Sequence, residues 1–140
     1  MNSKWKRVRE DSSLDKKALD EARAFSLAAA HLAVERHCSD VILIDLKGHS
    51  SLTDFFVVAT GTSDRQMRTV CDEISAKGRE MDFARFGRAG YEQARWILLD
   101  FVSVIVHIFD DESREFYDLE SLWADVEVTA LEEKDDQGAA

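Results

Sequence analysis

The chain has 140 residues, of which 45% are hydrophobic and 33% are charged, a composition typical of a single soluble globular domain. No apolar run approaches the ~18 residues that span a bilayer, and the first twenty residues lack the apolar centre of a signal peptide. These features argue against a membrane or secreted protein and predict a cytoplasmic one. Import into mitochondria or plastids is disfavoured, because Glu10, Asp11 and Asp15 follow the basic segment KWKRVR.

The formal net charge of −10 is concentrated at the C-terminal end. Residues 110–140 carry 12 acidic and 2 basic side chains, whereas residues 1–109 carry 16 of each. Nucleic-acid binding draws most of its affinity from Lys and Arg side chains that neutralise phosphates. We therefore expect little direct binding to nucleic acid and a better fit to a basic protein partner.

The sequence divides into a leader (1–11), a folded domain (12–128) and an acidic tail (129–140). The leader lacks apolar periodicity and the tail is polar, so both are predicted to be disordered. From Ser12 onward, apolar residues recur at steps of three and four. This spacing predicts a long first helix that ends near residues 37–40.

Two strands and a second helix are predicted next. The runs VILIDL (Val41–Leu46) and FFVVAT (Phe55–Thr60) are apolar on both faces, which is typical of central strands. GTSD (61–64) ends the second strand and precedes an apolar stripe from Met67 to Met81. The stripe has helical spacing and predicts a helix that packs by one face.

The remaining elements are strands and a final helix. Phe83–Arg88 is predicted as a short edge strand, while Arg95–Phe101 and Val104–Phe109 predict two strands joined by a tight hairpin. ESREFYDLESLW (Glu112–Trp123) predicts a last helix, whose docking face comprises Phe116, Leu119, Leu122 and Trp123. The element order predicts an α/β fold, a single domain with a mixed five-stranded sheet flanked by helices.

Two patterns suggest catalysis, and each also has a structural interpretation. The backbone amides of GTSD suit a phosphate, but no glycine pattern of a nucleotide-binding loop is present, so a helix cap is favoured. Asp45, Asp54 and Asp100 lie in or beside predicted strands, where paired carboxylates could hold a metal. No D-x-D spacing brings two of them together.

Histidines and cysteines are interpreted as structural residues. His31 and Glu35 are one helical turn apart and His107 lies among aliphatic residues, but none has the spacing of a metal site. Cys38 and Cys71 are far apart and form no C-x-x-C pair, so they are predicted to be buried free thiols. We predict neither a metal nor a cofactor.

The strand RWILLDF presents a candidate protein-binding pair. Strand alternation places Trp96 and Asp100 on one face and Phe101 on the other. An exposed Trp96 would be an aromatic anchor, and Asp100 would pair with a Lys or Arg of the partner. The pattern also fits Trp96 as a core residue and does not decide between the two.

Three segments of the chain closely resemble the ribosomal silencing factor family, also called RsfS or Iojap-like proteins. They are DVILIDLKGHSSLTDFFVVATGTSDRQ (40–66), WILLDFVSVIVHIF (96–109) and ESREFYDLESLW (112–123). The resemblance runs from Ser12 to about Trp123. It includes, in order, a T-G-T-S-x-x-Q turn, W-x-x-x-D and R-E-x-Y-x-L-E-x-L-W. These motifs are specific in combination.

The resemblance implies a nucleotidyltransferase-like architecture without known catalysis. It also implies a translational repressor, active chiefly under nutrient limitation, that binds ribosomal protein L-fourteen on the large subunit and blocks association with the small subunit. Trp96, Asp100 and Phe101 occupy the positions that the family uses for this contact. Trp96 would be the anchor, Asp100 the partner of a basic group, and Phe101 an additional apolar contact.

The chain departs from the family pattern at two places. Ala89-Gly90 stands where the family usually has Glu-Gly, and Val102-Ser103 stands where it has Gly-Asp. The second change removes an acid and a flexible residue beside the expected interface. We therefore expect the hairpin geometry or the partner affinity to differ.

Two questions stay open. An alternative function is a metal-dependent enzyme of nucleotidyltransferase type, with GTSD as the phosphate turn and Asp45, Asp54 or Asp100 as metal ligands. The sequence also does not decide whether the free protein is a monomer or a homodimer that buries its hairpin edge.

Overall fold

The structure, a computed structural model, describes residues 12–123 and 125–132. Over these residues the helices are α1 (Ser12–Glu35), α2 (Asp64–Glu80), α3 (Asp111–Tyr117) and a short 3₁₀ helix (Leu119–Trp123). The strands are β1 (Ser39–Asp45), β2 (Phe55–Thr60), β3 (Gly87–Ala89), β4 (Trp96–Asp100), β5 (Val104–Phe109) and β6 (Glu127–Leu131). The predicted leader (1–11) and residues 133–140 of the predicted tail lie outside the described residues.

The strands form one sheet in the order β3-β4-β5-β2-β1-β6. Strands β2 and β5 run parallel, and every other neighbouring pair is antiparallel. The predicted α/β fold with a mixed sheet is thus confirmed. None of the described helices combines the length and the apolar character needed to cross a bilayer.

The sheet has six described strands, whereas five were predicted. The additional strand is β6, which pairs antiparallel with β1 so that Leu131 lies opposite Val41. It extends past residue 128, where the folded domain was predicted to end. The side chains of this edge strand are mostly exposed, and its pairing with β1 defines it.

Helices α1 and α2 cover one face of the sheet, which we call the helix face. Phe25 of α1 is its centre: its ring stacks on Phe83 at 5.0 Å between centroids and meets the edge of Phe101 at 4.8 Å. Gly78 of α2 allows this approach, since a Cβ there would collide with the Phe83 carbonyl oxygen. Phe83 therefore belongs to the core and not to the edge strand predicted for Phe83–Arg88.

The opposite face of the sheet, which we call the open face, is only partly covered. A smaller cluster of Ile44, Leu46, Val58 and Phe109 lies there, with Leu119 and Trp123 of the 3₁₀ helix packed against it. The final helical segment thus covers only part of this face.

The predicted last helix is two elements, and its docking face was partly wrong. Asp118 adopts a left-handed backbone conformation (φ +46°) that ends α3. The break changes the helical phase, so Leu119 and Trp123 pack as predicted while Phe116 and Leu122 remain 78% and 73% exposed. A stripe counted along one continuous helix fails across such a break.

Candidate protein-binding surface

Strand β4 alternates between the two faces as predicted. Ile97 and Leu99 are fully buried beneath the helices. Trp96, Leu98 and Asp100 lie on the open face, each half-buried, and we call these three residues the β4 stripe. The stripe presents an aromatic, an aliphatic and an acidic side chain in one row.

The hairpin half of the β4 stripe is the more open half. Leu98 lies opposite His107 and Asp100 lies opposite Ile105 on β5. Leu98 and Ile105 are half-buried and belong to neither hydrophobic cluster of the described residues. On the edge side, β3 places only the small residues Ala89 and Gly87 beside the stripe, so no large side chain of β3 screens it.

Trp96 is neither a free surface residue nor a fully buried one. One side of its ring contacts Phe109 at 5.0 Å and Tyr117 at 4.7 Å between centroids. Its indole N–H donates to Nδ1 of His107 at 3.1 Å. The ring is therefore supported from within the fold while part of it remains accessible.

A groove of about 360 Å³ lies beside Trp96. Its walls come from the segment before β4 and from α3: Gly90, Gln93, Arg95, Trp96, Glu112, Ser113, Phe116 and Tyr117. The exposed Phe116 ring meets Tyr117 edge-on at 5.0 Å. Aromatic walls of this kind suit an apolar side chain of a protein partner.

Asp100 has a structural contact in addition to its accessible charge. Its Oδ1 accepts the Val102 N–H at 2.8 Å, and the Ser103 N–H donates to the Phe101 carbonyl at 2.9 Å across the same turn. Val102 sits at φ +73°, a conformation that glycine adopts freely and a β-branched residue does not. Val102 thus occupies a backbone conformation suited to glycine.

Phe101 does not share the surface of the other two predicted contact residues. Its side chain is 3% exposed and packs on the helix face against Phe25. The expectation that it supplies an apolar contact to a partner is not supported, because strand alternation directs it away from the β4 stripe.

His107 is the member of this surface whose role the sequence did not reveal. It is 3% exposed, and its Nε2 has no hydrogen-bond partner among the described residues. Burial lowers the pKa of His107 to about 4, so the ring is neutral at pH 7. Its cross-strand position beside the β4 stripe follows from the β4–β5 register, which sequence alone does not give.

The three carboxylates proposed for an enzyme do not form one cluster, although Asp45 and Asp54 are close enough to interact. Asp45 accepts from Arg23 of α1 at 3.0 Å and thus faces the helices, whereas Asp100 lies on the open face. Burial raises the pKa of Asp54, and the nearby Asp45 carboxylate adds to this. Among the described residues, no group of three or more His, Cys, Asp or Glu side chains could hold a metal ion.

The GTSD turn is a helix cap, as favoured from the sequence. Ser63 Oγ accepts the Gln66 N–H at 3.1 Å at the start of α2. The Gln66 side chain accepts the Thr62 N–H at 2.8 Å and donates to the Arg36 carbonyl at 2.8 Å. The T-G-T-S-x-x-Q motif therefore joins the start of α2 to the end of α1.

Arg114 explains part of the last motif and was missed as an important residue. Its guanidinium donates to the Asp40 carbonyl at 2.7 Å and to Thr60 Oγ1 at 2.9 Å. It also pairs with Glu120 at 3.0 Å. The Arg and the second Glu of R-E-x-Y-x-L-E thus connect α3 and the 3₁₀ helix to the sheet.

The two cysteines are buried free thiols, as predicted. Burial raises the pKa of Cys38 to about 11 and that of Cys71 to about 12. Thiols with such pKa values are not nucleophiles at pH 7. His31 and Glu35 are exposed on α1, outside the surface described above.

Sequence comparisons match most of the chain to one family. Residues 19–140 match the family model described as "Ribosomal silencing factor during starvation". A ribosomal silencing factor of Halalkalibacterium halodurans is 34% identical over 104 residues, covering 74% of this chain and 89% of that protein. One from Haemophilus influenzae is 40% identical over 86 residues, covering 61% and 84%. The chloroplastic protein Iojap of Zea mays is 31% identical over 106 residues, covering 74% and 45%.

Two solved structures share the fold. A crystal structure of a Chromobacterium violaceum protein has a TM-score of 0.68 and 29% sequence identity, covering 76% of this chain and 86% of that chain. A crystal structure from Bacillus halodurans has a TM-score of 0.65 and 30% identity, covering 80% and 99%. Likeness of sequence and likeness of fold thus each extend over most of the chain.

Proposed function

Because the chain belongs to the family of ribosomal silencing factors, we propose that it is a cytoplasmic translational repressor that binds the large ribosomal subunit through ribosomal protein L-fourteen. Bound there, it covers the face that meets the small subunit and blocks subunit association, chiefly when nutrients are limiting. The mechanism is steric, so repression depends on occupancy and requires no turnover.

The β4 stripe is the observation that carries this proposal. Trp96 and Asp100 lie on the same sheet face, four residues and about 13 Å apart along one strand. Tryptophan is enriched among residues that dominate interface affinity, and a neighbouring carboxylate favours a basic partner. The accessible Leu98 between them adds apolar area to the same contact.

The contact residues proposed from the β4 stripe are Trp96 and Asp100. Phe101 is proposed as a core residue that supports the end of β4, since it is buried against Phe25. The family resemblance treated all three residues as contacts, whereas this assignment separates an effect on stability from an effect on binding. Substitution of Phe101 should change stability, whereas substitution of Asp100 should change binding.

Sedimentation of purified cognate large subunits tests the proposal. The wild-type protein should co-sediment with large subunits and lower the yield of 70S particles when small subunits are added. Asp100→Arg should abolish both effects, because it reverses the charge that meets the basic partner. Asp100→Asn can still accept the Val102 N–H and should bind with intermediate affinity.

A matched control is a charge reversal away from the stripe. Glu21 is exposed on α1, so Glu21→Arg changes the net charge as much as Asp100→Arg and should bind like wild type. Wild-type protein that stays out of the large-subunit fraction would contradict the proposed function. Equal binding by wild type and Asp100→Arg would remove Asp100 from the interface.

A further inference from the structure

We propose that His107 is a positioning residue for Trp96: its Nδ1 fixes the rotation of the indole and so presets the anchor of the proposed interface. The inference rests on the proposed function, because the anchor has a role only if a partner binds the β4 stripe. The sequence identified His107 only as a structural histidine. The inference gives this residue a specific role in partner binding.

The hydrogen bond between the two side chains is the first observation. Trp96 Nε1 donates to His107 Nδ1 at 3.1 Å. An accepting Nδ1 requires the neutral imidazole with its proton on Nε2. The imidazole ring is 3% exposed, so water does not compete for Nδ1. A hydrogen bond shielded from water in this way is stronger than the same bond in solvent.

The surrounding rings contact both Trp96 and His107 but do not by themselves fix the direction of the indole N–H. Phe56 meets the His107 ring edge-on at 4.6 Å, which fixes the imidazole. Trp96 packs against Phe109 and Tyr117. Ring contacts of this kind do not depend on which way Nε1 points, whereas the hydrogen bond to Nδ1 favours only the orientation that directs Nε1 toward His107.

The cost of keeping a histidine here is the second, independent observation. Its Nε2 is buried with no hydrogen-bond partner among the described residues. An unpaired buried N–H destabilises the folded state, and an aliphatic side chain at this strand position would avoid that cost. A residue that lowers stability is expected where it serves the function, and its other nitrogen contacts the anchor.

Affinity measurements on a double-mutant cycle test the inference. His107→Leu removes the acceptor and should weaken binding to large subunits by about threefold to tenfold, as loss of one neutral hydrogen bond does. His107→Asn places an oxygen close to the Nδ1 position and should restore most of the affinity. In a Trp96→Phe background, which lacks the indole N–H, His107→Leu should have no further effect.

An NMR spectrum of the indole N–H groups supplies a readout that a purely structural role would not move. The Trp96 signal, identified by its loss in Trp96→Phe, should exchange slowly with solvent in wild type and in His107→Asn. In His107→Leu it should shift and exchange faster, while thermal stability stays equal or rises. Should the Leu variant fail to fold, Trp96→Phe removes the same bond from the other side and should weaken binding at least as much.

The outcomes are distinguishable from failure of the proposed function. Wild-type protein that does not bind large subunits overturns the proposed function and this inference with it. Wild-type binding with no loss in His107→Leu overturns the positioning role alone. The positioning role is also overturned if His107→Leu weakens binding as much in the Trp96→Phe background as it does in the wild-type background.

Discussion

The helix face of the sheet is packed mainly by apolar side chains, whereas the open face mixes aromatic rings with hydrogen-bonded polar groups. On the helix face Phe25 and Phe101 are fully enclosed. On the open face Trp96 and Asp100 stay half-buried, and each makes a directed hydrogen bond. The most enclosed side chains thus lie on the helix face and the proposed binding residues on the open face, so substitutions on the two faces should have different consequences.

The largest expected effect is on the helix face. Phe101→Ala removes a ring enclosed by Phe25 and Gly78 and should lower the free energy of unfolding by about 3–5 kcal/mol. Leu98→Ala, in the same strand but on the open face and half-buried, should cost about 1 kcal/mol. Urea unfolding measures both. Equal losses would show that the two faces do not differ as described.

The next effect is a pH dependence that belongs to the open face. His107 has a pKa of about 4 in the fold, below its ordinary value of 6.5. Between these values the unfolded chain binds a proton that the folded protein does not, so stability is full above pH 6.5 and falls as the pH drops to about 4. The loss should reach about 3 kcal/mol.

The variant His107→Leu isolates this contribution. Carboxylates titrate in the same range, so the informative quantity is the difference in unfolding free energy between wild type and variant from pH 7 to pH 4. As the pH falls, the unfolding free energy of wild type should decrease more than that of the variant. A constant difference would mean that His107 titrates alike in the folded and unfolded states.

A smaller effect is expected on affinity, where substitution of Trp96 is compared with substitution of a residue outside the β4 stripe. Trp96→Ala should weaken binding to large subunits by about 2 kcal/mol or more, roughly 30-fold, if the indole is the dominant contact. Glu21→Arg, on the helix side, should leave binding unchanged. A Trp96→Ala protein with an unaltered far-UV spectrum and wild-type affinity would remove Trp96 from the interface.

The smallest expected effect is at the hairpin that joins β4 to β5. Val102 is held at φ +73°, and Val102→Gly should relieve that strain and raise the free energy of unfolding by about 1 kcal/mol, net of the glycine's greater unfolded-state entropy. Thermal denaturation of wild type and Val102→Gly measures this difference in stability. A destabilised glycine variant would show that Val102 gains more from its contacts than it loses in backbone strain.

The sequence predicted most of the sheet because four strands carry their own signal. β1, β2, β4 and β5 are runs of aliphatic and aromatic residues, and alternation in β4 assigned Trp96 and Phe101 to opposite faces correctly. Ser63 was likewise recognisable as a helix cap from local chemistry alone. These features depend on neighbouring residues, which is the information that a sequence provides.

The features that were missed depend on contacts between distant segments. β6 is ordered by pairing with β1, and Arg114 bridges residues 40, 60 and 120. The role of His107 required the β4–β5 register, and the burial of Phe101 required Phe25 of α1 to pack against it. Periodicity gives the two faces of a strand but not what covers each face.

The most direct test of the central claim measures 70S formation by light scattering when small subunits are mixed with large subunits preincubated with this protein. Wild-type protein should reduce the extent of association in proportion to its amount and saturate near one copy per large subunit, while Asp100→Arg should leave association unchanged. Full association in the presence of excess wild-type protein would contradict the account.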